Sequence, residues 1–345
     1  MNLSQIGELS LLEQIRKKFE KKSRNILVGI GDDSAVLKPI NNNLLVTTDM
    51  MVEGIHFNLG FTTTYQLGFK LVSINVSDIY GMGGTPLYIL LNIAVNKNTD
   101  VKFINNFFDG VKDALDLYKT ILIGGDFSST DRGMALSATV IGYVKKHIPR
   151  SGANVGDRIY VTGNLGDSAC GLELLKKVNN SIPLLQTSRK KQRASRLRYL
   201  RLKSSKDGLS RNTVDPLLRR HLMPKARDPK KFSLYATSMI DISDGLLIDL
   251  SRICNESKVG ARIYTEKIPI SPELIKAACC LAISPMDLAL SGGEDYELLF
   301  TAPARKNIKA IHIGEITKSE RVIVDASGRE KPFTAEGYQH FRNHK

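Results

Sequence analysis

Apolar residues at Leu3, Ile6, Leu9, Leu12, Ile15 and Phe19 recur every three or four positions, which predicts an amphipathic helix at the start of the chain. The cluster from Val28 to Asp33 reads as a turn. Leu44 to Val46 reads as a short buried strand running into Thr47-Thr48-Asp49. Helical spacing returns from Tyr65 to Tyr80 and is stopped by Gly81, Gly83, Gly84 and Pro86. A strand is expected over Leu87 to Val95, a helix over Val101 to Tyr118, and a strand over Ile121 to Ile123 ending at Gly124-Gly125-Asp126. Met134 to Val144 reads as a long strand. Pro149, Gly152 and Gly156 mark His147 to Asp157 as a linker.

Beyond the linker the same grammar repeats. Arg158 to Thr162 reads as a strand, Gly166 to Val178 as a helix, Thr237 to Ile240 as a strand and Gly245 to Cys254 as a helix. Three further strands are expected, from Ala261, Tyr296 and Ile311, and the last residues read as a polar, frayed end. Each half holds strand, acidic turn, helix and further strands, so two mixed α/β domains are predicted, 1–148 and 149–345.

Composition narrows the class. The 345 residues are 42% hydrophobic and 24% charged, a globular balance that argues against wholesale disorder. No run of about 18 apolar residues is present, which excludes a spanning helix. The first residues lack the apolar core of a secretory signal, so a cytoplasmic location is expected. Cys170, Cys254, Cys279 and Cys280 have no metal-finger or disulfide spacing. The net charge is +14, but residues 181–231 hold 16 Lys or Arg against three Asp and account for 13 of those charges. The basicity belongs to one connection. Arg189, Lys190, Lys191, Arg193, Arg196, Arg198, Arg201 and Lys203 crowd it, with Tyr199 as the aromatic among them, so a base-stacking platform is poorly supported. Nucleic-acid binding is therefore ranked below a solvated surface insertion at about 181–215.

Candidate chemistry lies in acidic segments read as turns: Gly31-Asp32-Asp33, Thr47-Thr48-Asp49, Ser77-Asp78, Gly124-Gly125-Asp126 and Asp241-Ile242-Ser243-Asp244. Any one of them could simply be a turn or a helix cap; Ser243 or Asp244 could cap the helix that follows. Together they offer carboxylates and hydroxyls, hard oxygen donors of the kind Mg²⁺ prefers, beside glycines that let a backbone approach a bulky ligand. That combination suggests Mg²⁺ carrying a polyphosphate. No Gly-Lys pair exists, so there is no Walker A loop, and neither kinase nor dinucleotide fingerprints are present.

Longer segments carry a resemblance. They are Gly29-Ile-Gly-Asp-Asp-Ser-Ala35, Thr47-Thr-Asp49, Val52-Glu-Gly-Ile-His-Phe57, Asn75-Val-Ser-Asp78, Met82-Gly-Gly-Thr-Pro86 and Ile123-Gly-Gly-Asp126. Arg150-Ser-Gly-Ala153, Gly156 to Gly163, Gly166-Asp-Ser-Ala169, Asp241-Ile-Ser-Asp-Gly-Leu246 and Leu290-Ser-Gly-Gly-Glu-Asp-Tyr-Glu-Leu298 follow in order. The chain resembles the thiamine-monophosphate kinase family, within the aminoimidazole ribonucleotide synthetase superfamily. The resemblance implies an α+β fold of two mixed α/β sandwich domains, with N-terminal domains pairing in a homodimer and the C-terminal domain completing the active-site cleft. It implies transfer of the γ-phosphoryl group of ATP to thiamine monophosphate, directly and in line, through several Mg²⁺ ions.

The same resemblance assigns residues. Metal ligation falls to Asp33, Thr47, Thr48, Asp49, Asp78, Asp126, Asp241 and Asp244, with Asp32 able to serve in place of Asp33. Nucleotide contacts fall to Gly125, Asp126, Arg150 and Ser243, and substrate contacts to His56, Glu294 and Tyr338. No residue is assigned as acid or base. Taken without the family, Arg150 reads equally as a solvated linker arginine, His56 as structural and Tyr338 as packing. A selenophosphate synthetase would be expected to carry a reactive N-terminal Cys, and a hydrogenase-maturation relative to end in Cys; the first Cys here is Cys170 and the chain ends at Lys345.

Overall fold

The computed structural model describes residues 2–21, 23–31, 34–180, 209–304 and 308–338. It divides into two compact units, residues 1–80 with 84–147, and residues 81–83 with 148–345.

The first unit opens with α1 (Leu3–Ile6) and α2 (Glu8–Phe19). The single helix expected there is broken at Gly7, whose φ of 77° ends the first turn and starts the second helix. A small antiparallel pair follows, β1 (Ile26–Val28) and β2 (Val36–Leu37). The main sheet has the order β3-β6-β4-β5, from β3 (Asn43–Val52), β4 (Thr85–Val95), β5 (Ile121–Ser129) and β6 (Ala135–Val144). Between these strands lie α3 (Thr64–Gly81) and α4 (Val101–Tyr118).

Both long helices form where the periodicity predicts them, because their apolar stripes are continuous. Leu67, Leu71, Val72, Val76 and Ile79 of α3 are buried, as are Ile104, Phe107, Val111 and Ala114 of α4. The helices cross closely at two glycines. A Cβ on Gly68 would lie 2.1 Å from the Phe107 carbonyl oxygen, and one on Gly110 would lie 1.9 Å from that of Tyr65.

β3 corrects the sequence reading. It is not a short buried strand but ten residues long, and Leu44, Val46 and Met50 are 60%, 66% and 58% exposed on one face. The alternate residues Thr47 and Asp49 face α3, where the Thr47 hydroxyl donates to Asp78 and the Asp49 N–H donates to Asn75 Oδ1. Thr47-Thr48-Asp49 and Gly124-Gly125-Asp126 are therefore strand interior rather than turns, and Ser77-Asp78 lies within α3. Ladder pairing with β6 and β4 overrides the local turn chemistry of Asp and Gly.

The second unit is built on a seven-stranded sheet of order β13-β12-β9-β11-β7-β10-β8. Its strands are β7 (Asp157–Val161), β8 (Ser238–Asp241), β9 (Gly260–Tyr264), β10 (Leu298–Pro303), β11 (Ile311–Thr317), β12 (Arg321–Val324) and β13 (Glu330–Pro332). The helices are α5 (Asp167–Asn180), α6 (Arg211–Leu222), α7 (Leu246–Ser257), α8 (Pro272–Leu281) and α9 (Pro285–Ser291). Leu246, Leu247, Leu250 and Ile253 of α7 pack with Ile159, Val161, Ile240 and Leu299 of the sheet. A second cluster joins Cys170 and Leu174 of α5, Val214 and Leu217 of α6, and Leu274 and Ala277 of α8.

The expected basic insertion, about 181–215, ends inside α6, where Thr213 and Val214 are buried. Its residues Arg189 to Lys203 lie outside the described residues. Among the described residues no single helix is long and apolar enough to cross a membrane.

Candidate active site

In the first unit the assigned residues gather along β3 and its flanks. Thr47 Oγ1 donates to Asp78 Oδ2 at 2.6 Å, which ties the strand to the C-terminal half of α3. Asn75, one turn earlier, donates to the Leu71 carbonyl, which holds its amide, and accepts from the Asp49 N–H at 2.9 Å. Thr48 points to the opposite face, where its hydroxyl donates to the Ala138 carbonyl. Asp32 and Asp33 lie outside the described residues.

Asp126 sits apart from this group. It pairs laterally with Asn92, which pairs with Ser137, which pairs with Met50. Asp126 is thus on the open face of the sheet with Thr48 and Met50. Two strands separate its own from β3, and three interstrand spacings amount to roughly 14 Å. A single ion cannot touch both Asp126 and Asp49 of one chain. Gly125, beside it, has φ 149°, and a Cβ there would lie 1.9 Å from the Leu91 carbonyl oxygen. Glycine is what lets β5 lie this close to β4.

His56 follows β3 in a tight turn in which the N–H groups of Ile55 and His56 both donate to the Val52 carbonyl. The Val52 N–H in turn donates to His56 Nδ1 at 3.0 Å. With Nδ1 accepting, the neutral ring carries its proton on Nε2 and offers that side as a donor. Glu53 secures the same turn by accepting from the Met134 N–H at 2.9 Å.

In the second unit, segments far apart in sequence converge on residues 241–244, at the end of β8. The Glu294 N–H donates to the Ser243 carbonyl at 2.7 Å, and the Tyr296 N–H to the Ile242 carbonyl at 2.9 Å. From the other end of the chain the Tyr338 N–H donates to the Asp244 carbonyl at 3.0 Å. Ser243, Asp244, Glu294 and Tyr338 therefore share one small region. Asp241 is buried at the end of β8, and Arg150 is exposed in a short helical turn, Arg150–Gly152, whose Arg150 carbonyl accepts from Ser257.

Neither Ser243 nor Asp244 is the N-cap of α7; Gly245 holds that place. Asp249, inside the helix, turns back instead, and its Oδ2 accepts from the N–H groups of Ser243, Asp244 and Gly245. Burial pushes the Asp249 carboxyl up to about 6 even though Arg252 beside it favours the charged form. Arg252 also reaches Asp244 at 2.5 Å, so one guanidinium bridges both carboxylates. Sequence reading missed Asp249 and Arg252; their spacings from Asp244, five and eight residues, were the available signal.

The loop that carries Glu294 is held by a buried charge network. Asp295 accepts from the N–H groups of Gly166 and Ser168, and Glu297 accepts from the Thr162 hydroxyl and from Arg220 and Arg227. Burial opposes the charge on Glu297, but the two arginines outweigh it and keep the carboxyl below its usual range. Glu294 and Tyr296 both take left-handed backbone angles, φ 64° and 51°. Such angles persist in non-glycine residues where the surroundings fix them, and they cluster at ligand sites.

All the assigned metal donors present oxygen, and Thr47 with Asp78 already form a close hydroxyl–carboxylate pair, which suits a hard cation. Among the described residues, no group of three or more His, Cys, Asp or Glu side chains is placed to hold an ion by itself.

Comparison with known proteins places this geometry. The family model described as AIR synthase related protein, N-terminal domain, matches residues 31–144, and that for the C-terminal domain matches residues 154–327. Thiamine-monophosphate kinase of Aquifex aeolicus (strain VF5) is 32% identical over 99% of this chain and 100% of its own length. That of Buchnera aphidicola subsp. Acyrthosiphon pisum (strain APS) is 37% identical over 98% of this chain and 95% of its own. A solved structure of AaThiL complexed with AMPPCP and TMP superposes with a TM-score of 0.73 at 32% identity, covering 99% of each chain. With a family-model match on each unit and full-length relatives above 30% identity, the chain belongs to the thiamine-monophosphate kinase family, built on the AIR synthase related fold.

Proposed function

We propose that this chain transfers the γ-phosphoryl group of ATP to thiamine monophosphate, giving thiamine diphosphate and ADP. The observation that carries this reading is the convergence of Ser243, Asp244, Glu294 and Tyr338 on one loop, in a chain alike over its full length to kinases of that name. The acceptor is itself a phosphate oxygen, already anionic, so the reaction needs positioning and charge neutralisation more than a base.

Each residue has a task in this reading. Arg150, exposed, clamps nucleotide phosphates through paired guanidinium hydrogen bonds. Ser243, the Gly125 backbone and Asp126 are the nucleotide contacts the family resemblance implies. His56 donates from Nε2 to the acceptor, Glu294 faces the cationic thiamine, and Tyr338 stacks on a thiamine ring. Several Mg²⁺ ions, not one, would be shared among Asp33, Thr47, Thr48, Asp49, Asp78, Asp126, Asp241 and Asp244, since Thr48 and Asp126 lie on the opposite sheet face from Thr47 and Asp49. When bound they would neutralise charge on the two phosphate groups.

The working form in this reading is a homodimer. The open face of β3 exposes Leu44, Val46 and Met50, an apolar surface that a second copy would cover. Asp126 lies on the same face, so its partners for an ion would come from that second copy.

The reading is tested with purified protein, ATP, Mg²⁺ and thiamine monophosphate, following thiamine diphosphate by fluorescence after thiochrome oxidation. Product is expected from the monophosphate and not from free thiamine, and it is expected to disappear without Mg²⁺ or in Asp126→Asn. Folded protein that binds ATP and gives no product would point to a different acceptor.

A further inference from the structure

Glu294 does not orient itself. Its backbone is fixed at φ 64° and its N–H is tied to Ser243, and its side chain is 28% exposed. A buried imidazole meets that side chain. His221, in the last turn of α6 and 4% exposed, places Nδ1 3.1 Å from Glu294 Oε2. The ring nitrogen thus stands within ion-pair distance of the carboxylate, where a proton on Nδ1 faces an acceptor. Ser168 Oγ lies 3.2 Å from the same Nδ1, while the Ser168 N–H donates to Asp295 next to Glu294. Arg220, the residue before His221, binds Glu297. Two adjacent residues of α6 thus hold the 294–297 loop, Arg220 by its buried end and His221 by the carboxylate that faces outward.

From this geometry we infer that His221 is a positioning residue for thiamine monophosphate, acting through Glu294. The inference rests on Glu294 meeting the substrate, as proposed above. Contact with the buried His221 ring holds the Glu294 carboxylate in one orientation before the ligand arrives. Preorganisation of this kind strengthens binding of the one ligand that Glu294 touches and leaves the nucleotide alone. No spacing rule links residues 73 positions apart, and α6 reads from sequence only as the end of a basic connection.

The test separates positioning from folding. In His221→Leu the KM for thiamine monophosphate is expected to rise about tenfold, the scale of a lost hydrogen bond to a charged group, with kcat and the KM for ATP within about twofold of wild type. In His221→Asn, whose amide can donate from nearly the position of Nδ1, the KM is expected to return to within about threefold of wild type. In a Glu294→Gln background, His221→Leu should add little further loss, since the contact is already weakened. An unmoved KM in His221→Leu would overturn the inference. So would equal losses in kcat and melting temperature with no rescue by Asn, which is the mark of a merely structural role. Wild-type protein that makes no thiamine diphosphate would overturn the proposed function instead. Calorimetric titration of thiamine monophosphate into the same variants then decides about His221: about tenfold weaker binding to His221→Leu upholds it, equal binding overturns it, and no binding to wild type overturns both.

Discussion

Asp295 Oδ2 accepts a hydrogen bond from the Gly166 N–H at 2.6 Å, in a place where the Asp295 side chain has no exposure to solvent. This bond joins the turn that starts α5 to the loop that carries Glu294. Ser168 supplies a second N–H to the same carboxyl, and Arg220 stands 4.0 Å away. These partners favour the charged form, but burial outweighs them and pushes the Asp295 carboxyl from 3.8 up to about 7.

A pH dependence of stability follows. The folded protein holds a proton on Asp295 that the unfolded chain releases near 3.8. The stabilising contribution is therefore full below that value and is lost as pH rises through about 7. Asp295→Asn, which cannot titrate, is the reference. The melting temperature of wild type minus that of the variant should fall between about pH 4 and about pH 7 and level off above that. A difference that is flat or rises with pH would show that the folded carboxyl is already ionised at the acid end.

The left-handed backbone at Glu294 gives a second prediction. A residue with a Cβ is strained at φ 64°, and glycine is not. Glu294→Gly should therefore be more stable to urea than Glu294→Ala by about 1 kcal/mol, the reverse of the usual order. Both variants should raise the KM for thiamine monophosphate alike, because both lack the carboxylate. Equal stability of the two variants would mean that the loop relaxes out of the left-handed angle once the side chain is gone.

The open face of the first sheet gives a third. Val46 is 66% exposed in the middle of β3, far from the α3 side that carries Thr47 and Asp49. Val46→Asp should leave the fold intact and convert a dimer into a monomer in sedimentation equilibrium, because a charge buried without a partner is costly. If wild type is itself monomeric, the exposed apolar face has another use and Asp126 has no second copy to work with.

Much of this architecture is legible in the sequence, for identifiable reasons. α3 and α4 announce themselves by continuous apolar spacing, and burial agrees with it. β3 and β5 are partly hidden, because Thr47-Thr48-Asp49 and Gly124-Gly125-Asp126 are rich in turn formers, and only the ladder to β6 and β4 makes them strands. β12 and β13 are short and polar, and they exist because β9 offers an edge for β12 to join. The assigned residues Ser243 and Glu294 could be named from their motifs and Tyr338 from the family resemblance alone, yet their meeting depends on backbone bonds across long separations. The residues that hold them, Asp249, Arg252, Arg220 and His221, belong to no local pattern, and only the packed structure shows what they touch.

The claim on which all of this depends is that the chain moves the terminal phosphoryl group of ATP directly onto thiamine monophosphate. ATP radiolabelled in its γ-phosphate, incubated with protein, Mg²⁺ and thiamine monophosphate and resolved by chromatography, follows that group. The label is expected in thiamine diphosphate, in step with ADP formation, with none retained on the protein after denaturation. Label that ends as inorganic phosphate, or that stays bound to the denatured chain, would contradict direct transfer to this acceptor.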